Sequence, residues 1–520
     1  MRKLSFFWAV IVTVLVLTSY LFAAGVSITD IGARATALGG SYRAIANDWS
    51  AMFWNPAGLT QINGLHAGFA SELLWPVAEY KPAAWKGMNF SVTRQTGTKN
   101  EFQTFVIPSG GIVYSLSDKV TIGLGAWAPF GLGAKWDLLD TQNYNNKYPK
   151  FDFENDLKLV DIHPTVAFKL NDMISVGAGV GLLYADIMIR QPVFYPNPYF
   201  GADVYSDDET TLDVYTIFDP RNQQNLKDSL QVRGGLQSKF NHLITNSELS
   251  GSGFGHSINL GVMIKINDKL QIGLSGRYYG DVKLEGTIDA SVYYPSNPEA
   301  QQLLDNTWSD SLKNQFLEIA QEEGEITGDE KKAILNAYSG GRYPVYTNSK
   351  TKATLPLPAD IGIGFSYKVI NREDRHLIVS TDFQYSFCSV WKVIYIDIDN
   401  KKAANKLVEN WNDSYRFGAG IEYKLNPIWA LRCSFFHETN AGVAETLTPT
   451  IPDANPRNTV NLGFQVNLLP NLALHGSYKR MFINTRIFDK WAYNGETYDN
   501  MPGTYKMNVS NVMFGLDYNF

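Results

Sequence analysis

The chain has 520 residues, of which 45% are apolar, 13% aromatic and only 18% charged, with 43 glycines and a formal net charge of -6. That charge gives no reason to expect a nucleic-acid partner, and a mean hydropathy of -0.17 argues against a bundle of membrane-spanning helices. Length alone suggests about three or four soluble domains, but a strand pattern runs nearly end to end, so one large barrel is the simpler account.

Arg2 and Lys3 precede an apolar run from Leu4 to Ala24 that closes on the small residues Ala23-Ala24-Gly25. This order reads as a secretory signal peptide over 1–24, although the run is also long enough to anchor in a membrane. The next stretch, 25–62, is rich in small residues and broken by glycine and proline. It is too short to build a core of its own, so something else in the molecule must bury it.

From Gly64 onward come fourteen segments of alternating apolar and polar residues. They begin near Gly64, Gln103, Lys119, Leu157, Ile174, Gly253, Lys269, Thr354, His376, Asp413, Ile428, Asn458, Asn471 and Asn508. Period-two alternation marks strands whose two faces meet different solvents. Repeated along a chain with aromatics on the apolar side, it predicts an all-β fold, a 14-stranded antiparallel transmembrane β-barrel over 63–520. Every second connector is a tight turn such as Ser117-Asp118, Asn171-Asp172 or Asn267-Asp268, built from residues that close hairpins. The others are long, the longest at about 190–252 and 289–353. Short turns at one end and long loops at the other indicate the outer membrane of a diderm bacterium, with the terminal Phe520 serving insertion by the barrel-assembly machinery. Parity sends Val160, Ile162, Val166 and Phe168 to lipid against inward Asp161, His163 and Thr165. It sends Leu377, Val379, Phe383, Tyr385, Phe387 and Trp391 to lipid against inward Asp382, Gln384 and Ser386. Cys388 then faces the lumen and Cys433 faces lipid, so no disulfide is expected.

In the loop at 289–353, Leu304, Trp308, Leu312 and Phe316 recur at four-residue spacing, the stripe of an amphipathic helix. The stripe either packs on the loop's own tyrosines or lines a landing site for an apolar ligand. The loop at 190–252 adds the aromatics Phe194, Tyr195 and Phe200. Parity turns Arg277, Arg416, Arg432 and Lys265 into the lumen, where each could hold a carboxylate or pair with inward Asp161, Asp360 and Glu422. The third segment carries Gly123, Gly125, Pro129, Phe130 and Gly131. Glycine and proline weaken a ladder, which predicts either a break in pairing or simply room for something in the lumen. The seven histidines (His66, His163, His242, His256, His376, His437 and His475) are scattered one per segment. They show neither metal-ligand spacing nor a nucleophile motif, so no metal, cofactor or enzymatic activity is expected.

Gly32-Ala33-Arg34-Ala35 through Gly39-Gly40, followed by Asn55-Pro56-Ala57-Gly58-Leu59, resembles the N-terminal hatch of the FadL/TodX family. These are outer-membrane transporters for long-chain fatty acids and other hydrophobic compounds. Val106-Ile107-Pro108-Ser109, Ala128-Pro129-Phe130-Gly131-Leu132, Leu357-Pro358-Ala359 and Ile451-Pro452-Asp453 extend the resemblance along the chain. It implies a barrel plugged by 25–62, with Asn55, Pro56, Ala57 and Gly58 in the hatch that gates it. It also implies passive uptake without ATP, and exit sideways into membrane lipid near the third strand, at Gly123, Gly125, Pro129, Phe130 and Gly131. On residue chemistry alone, Asn55-Pro56 is equally a turn initiator. The expectation is a monomeric channel for hydrophobic small molecules. The alternative is a plugged porin for polar solutes, which a charged eyelet in place of an apolar pocket would reveal. A membrane-embedded lipid hydrolase would need a paired Ser and His, and a purely structural barrel or adhesin would have no use for the hatch in uptake.

Overall fold

The computed structural model describes residues 30–83, 96–139, 148–196, 242–293, 345–372, 374–399, 401–449, 456–490 and 500–520. The expected signal peptide, Phe200, the stripe Leu304, Trp308, Leu312 and Phe316, and Ile451-Pro452-Asp453 lie outside the described residues.

Fourteen antiparallel strands close into one barrel. They are β1 (Leu65–Pro82), β2 (Phe105–Ser117), β3 (Val120–Trp136), β4 (Phe153–Lys169), β5 (Ile174–Pro196) and β6 (His242–Lys265). Four interrupted strands follow: β7 (Leu270–Tyr279 and Val282–Tyr293), β8 (Val345–Leu355 and Asp360–Asn371), β9 (His376–Ser386 and Val393–Ile398) and β10 (Lys401–Val408 and Ser414–Lys424). The set ends with β11 (Trp429–Glu438), β12 (Arg457–Leu469), β13 (Leu472–Ile483) and β14 (Gly503–Asn519). Each pairs with the next, and β14 returns to β1 in unbroken register from Pro82–Gly503 to His66–Asn519. Closure pairs the first and last strands, so the sheet has no free edge at its ends, the condition for a sheet to live in lipid.

The tight turns repeat one device. The side-chain oxygen of Asn171 accepts from the amides of Met173 and Ile174, both at 2.8 Å. Asn267 does the same for Lys269 and Leu270, and Asn426 for Ile428 and Trp429. Asn side chains mimic a backbone turn in this way.

The expected parity holds through the membrane. Asp161, Asp382, Arg416 and Asn461 are buried, while their chain neighbours Ile162, Phe383, Phe417 and Leu462 are exposed. Cys388 is buried and Cys433 exposed, with no disulfide. Two assignments fail. Trp391 is inside the barrel, packed against Trp411 at a tilt with ring centroids 4.8 Å apart, because the break between the two halves of β9 resets the alternation. Lys265 is not lumenal; it lies half-exposed at the turn end and pairs with Asp268 at 2.8 Å. The strands also outrun their sequence signal at the loop end: β5 reaches Pro196, so Phe194 and Tyr195 belong to a strand, and β6 starts at His242. Beyond the bilayer, both faces meet water or protein and the contrast that alternation records disappears.

One seam differs. The β2–β3 ladder runs from Ser117–Val120 to Gly110–Ala126 and stops there. β3 continues to Trp136 paired to β4, with a register shift between Trp127 and Phe130. Farther out, the Glu101 amide donates to the Lys135 carbonyl at 2.8 Å. Residues 127–131 are all buried, so alternation is lost along this stretch.

Because the lipid face is set by single-residue parity, Leu462→Arg is expected to cost about 2–4 kcal/mol of folding free energy. Its buried neighbour can be probed with the milder Asn461→Ser for comparison. Folding titrations into lipid vesicles check this, and a Leu462→Arg cost below about 1 kcal/mol would contradict the assigned lipid face.

Candidate functional site

The lumen is occupied by the N-terminal segment. It folds as two short helices, α1 (Ala33–Ala37) and α2 (Ala51–Trp54), and a 3-10 turn at Pro56–Gln61. Most of its side chains are buried, including Tyr42, Met52, Trp54 and Leu59. Gly39 and Gly40 have φ of 60° and 72°, a backbone that glycine adopts without strain. A Cβ on Gly40 would stand 2.7 Å from the Trp54 ring.

Asn55 serves two purposes at once. Its side-chain oxygen accepts from the Ala57 amide at 3.2 Å, closing the turn, while its nitrogen donates to the carbonyls of Arg43 and, on β6, Val262 at 3.0 and 3.1 Å. The wall gives way to this turn: a Cβ on Gly177 would stand 2.4 Å from the Pro56 carbonyl carbon, and one on Gly261 2.1 Å from Asn55 Oδ1. Gly58 packs so closely on Ala46 that its own Cβ would lie 1.9 Å from that carbonyl oxygen. Gly123 likewise faces Met52, whose sulfur a Cβ there would meet at 2.6 Å, whereas a Cβ on Gly125 would meet the Trp127 ring at 2.4 Å before Met52 at 3.0 Å. Gly123 thus makes room for the segment, and Gly125 first for the Trp127 ring.

Buried ions tie segment to wall. Arg43 is fully buried and reaches Ser275 at 2.8 Å, Gln384 at 2.9 Å, Asp360 at 3.4 Å and, in closest contact, Asp382. Lys479 of β13 grips Asp30. Glu422 of β10 takes both Arg34, at 2.8 Å, and Arg432, at 2.6 Å. Of the candidate ligand cations, Arg277 is held by both oxygens of Asp360 at 2.9 Å, with its guanidinium 3.8 Å from the Phe53 ring centre. Arg432 is likewise committed to Glu422. Arg416 differs: it donates to Gln384 at 3.2 Å and lies over Trp54 and Phe436, and has no carboxylate within salt-bridge distance among the described residues.

The fold also brings together a serine, a histidine and an aspartate that sequence spacing did not. Ser257 donates to Asp161 at 2.7 Å, and His163 Nδ1 lies 3.1 Å from Ser257 and 3.2 Å from Asp161. Serine and aspartate share one ring nitrogen, so no base is placed to activate the hydroxyl against a substrate; a hydrolytic triad uses both nitrogens.

Toward the loop end the lumen is apolar. Phe130, Leu159, Leu183, Tyr279, Trp391 and Trp411 belong to one buried cluster. A cavity of about 60 Å³ beside it is lined by Leu157, Ile187, Leu249, Leu284, Trp391 and Ile394, among others. A second cluster, with Leu74, Ile107, Ala128, Trp136 and Tyr505, borders the seam where the β2–β3 ladder stops. Toward the turn end the space is polar, with a cavity of about 320 Å³ lined by residues such as Arg34, Asp48, His66, His475 and Asp517. Sequence reading missed Trp391, Ile394 and Trp411 as chamber residues. The only signal for the tryptophans was their place at strand interruptions.

Two outcomes follow from these contacts. Removing one member of a buried ion network costs about 3–5 kcal/mol, so Arg43→Leu should loosen the segment and raise ion conductance across planar bilayers; unchanged conductance and protease resistance would refute its anchoring role. Glu409, in the outer break of β10, is pushed up to about 8 by burial, against the pull of its hydrogen bond from Trp411 at 3.0 Å. A carboxyl raised in the folded state stabilises that state fully below its unfolded pKa near 4.5 and ceases to do so as pH rises through 8. The Trp391–Trp411 packing should therefore become accessible to a fluorescence quencher across that window. Glu409→Gln should flatten the response.

The sequence of residues 14–520 matches the family model described as outer membrane protein transport protein (OMPP1/FadL/TodX). A putative outer membrane protein of Neisseria meningitidis is 22% identical over 479 residues, 91% of this chain and 88% of that one. Outer membrane protein P1 of Haemophilus influenzae is 23% identical over 373 residues, 72% of this chain and 65% of its own length. In fold, the chain is similar to a Pseudomonas aeruginosa FadL homologue (TM-score 0.69, 15% identity, covering 96% of this chain and 100% of that one). It is also similar to the Pseudomonas putida toluene transporter TodX (TM-score 0.60, 14% identity, covering 96% and 100%). The closed fourteen-stranded barrel, the turn-and-loop asymmetry and the full-length match agree: this chain is an outer-membrane protein and belongs to the OMPP1/FadL/TodX family of outer membrane transport proteins.

Proposed function

We propose that this protein is a monomeric channel for passive uptake of hydrophobic small molecules, long-chain fatty acids or compounds like them. The apolar lining of the loop-end chamber carries this reading. A polar-solute porin would need a wet, charged constriction there, whereas Leu157, Ile187, Leu284, Trp391 and Ile394 offer hydrocarbon. Burial on such a wall favours an apolar ligand by about 25 cal/mol per Å².

Cargo is captured at the loop end, by the outer end of β5 at Phe194 and Tyr195 together with Phe200 and Leu304–Phe316, and passes into the chamber. Arg416, the cation with no carboxylate of its own among the described residues, suits an anionic head group, while Arg277 and Arg432 serve their internal pairs. A shift of the hatch at Asn55, Pro56, Ala57 and Gly58 then opens the way to the wall near Gly123, Gly125, Pro129, Phe130 and Gly131. There the end of the β2–β3 ladder supports release sideways into lipid. Phe520 serves assembly into the membrane.

Uptake of labelled oleate and of toluene, compared in cells with and without the protein, tests the reading; equal rates for both compounds would reject it. A charge-assisted hydrogen bond contributes about 1.5–3 kcal/mol. Arg416→Leu should therefore weaken binding of oleate by roughly ten- to hundredfold, with a much smaller change for toluene. Equal losses for the two would remove Arg416 from head-group recognition.

A further inference from the structure

Where the β2–β3 ladder ends, the lumen wall carries a polar group that the path above leaves without a task. Trp127 of β3, His163 and Asp161 of β4, and Ser257 and Asn259 of β6 all point inward, each no more than 2% exposed. They meet across β5 because its inward positions there are glycines. A Cβ on Gly179 would stand 2.4 Å from His163 Nε2, and one on Gly181 2.0 Å from Asp161. The Trp127 and His163 rings lie 5.1 Å apart, and Trp127 meets Phe53 of α2 edge-on at 5.7 Å.

Three atoms of this group have no hydrogen-bond partner among the described residues: Trp127 Nε1, His163 Nε2 and Asn259 Oδ1. Their roles can be assigned. An indole nitrogen only donates. The Asp161 carboxylate beside His163 Nδ1 places the ring proton there, leaving Nε2 as an acceptor. Asn259 uses its nitrogen to donate to the Met52 and Phe53 carbonyls at 2.6 and 3.0 Å, so its oxygen is also an acceptor. A buried polar atom left unsatisfied costs about 1–3 kcal/mol. Packing alone would be served by apolar residues, as it is toward the loop end. Trp127 directly follows Ala126, the last β3 residue paired to β2, so the indole stands at the inner end of the seam, with His163 beside it.

We propose that Trp127 and His163, with Asn259, form a hydrogen-bonding waypoint for a neutral hydroxyl-bearing head group on otherwise apolar cargo. The hydroxyl oxygen accepts from Trp127 Nε1, and its hydrogen is donated to His163 Nε2 or Asn259 Oδ1, while the tail rests on apolar neighbours such as Phe53. The channel thereby favours alcohols over bare hydrocarbons of equal length. This rests on the uptake reading given above and adds a selectivity to it.

The test compares initial uptake of labelled 1-decanol and labelled decane in the same cells, each corrected for cells lacking the protein. The wild-type protein takes up decanol in preference. Trp127→Phe, which keeps a ring and removes the donor, lowers the decanol-to-decane ratio about fivefold, the factor expected for one hydrogen bond. His163→Phe lowers it similarly and serves if the first variant fails to reach its folded gel mobility. Absence of a wild-type preference, or a ratio unmoved in a folded variant, overturns the waypoint alone. If the wild-type protein speeds neither compound, the uptake reading fails with it.

Discussion

Inside a bilayer no water is present to satisfy a peptide group, and the cost of one exposed N–H or C=O is several kcal/mol. Everything else in this molecule depends on that constraint. It forces the fourteen strands to close, so that β14 pairs with β1 over its whole length. It also forces the Asn-capped turns to bring each strand back in register, because a slip by one residue would turn Asp382 or Arg416 to hydrocarbon. The end of the β2–β3 ladder at Gly110–Ala126 is therefore the exception that calls for explanation. The strands flanking it contribute Ile107, Ala128 and Trp136 to a buried cluster, so the seam is covered by side chains where it lacks a ladder.

Closure creates a second problem, since a ring of this size is wider than its own inward side chains can fill. The chain answers with a segment of alanines, glycines and short helices that could not hold together alone. Glycines on β3, β5 and β6 recede where Met52, Pro56 and Asn55 approach. Buried carboxylates at 360, 382 and 422 receive the segment's Arg43 and Arg34. Such pairs add little net stability compared with an apolar interface, but breaking one is expensive. An attachment of this kind holds the segment to named partners on the wall.

Much of this was legible in the sequence, and the illegible parts share a cause. Strand number and facing could be read because each residue in the bilayer records its own solvent: Asp382 and Phe383, or Asn461 and Leu462, differ as sharply as water and oil. Strand ends at Pro82, Pro196 and Val345 could not, because above the bilayer that contrast fades. Trp391 was misplaced when a break in β9 reset the count, and Lys265 because parity gives direction without depth. Partnerships such as Arg277 with Asp360 depend on inter-strand register, which alternation does not encode. Arg43 lay in a segment with no period at all, so nothing marked it as the centre of the network it holds.

Along the barrel axis, these choices arrange three environments in order. Apolar side chains of β4–β9 line the loop end, a band of buried ions and the N-terminal segment closes the middle, and a polar vestibule with His66, His475 and Asp517 opens at the turn end. An apolar molecule entering from outside loses its favourable surroundings if it continues straight down, since the vestibule offers it only water and charge. On the proposed uptake reading, its lower-energy direction is sideways, toward hydrocarbon. The stretch where β2 and β3 lack a ladder, between Gly110–Ala126 and the Glu101–Lys135 link, lies beside an apolar cluster rather than the vestibule. On that reading, the polarity gradient alone separates apolar from polar solutes, before any specific contact is made.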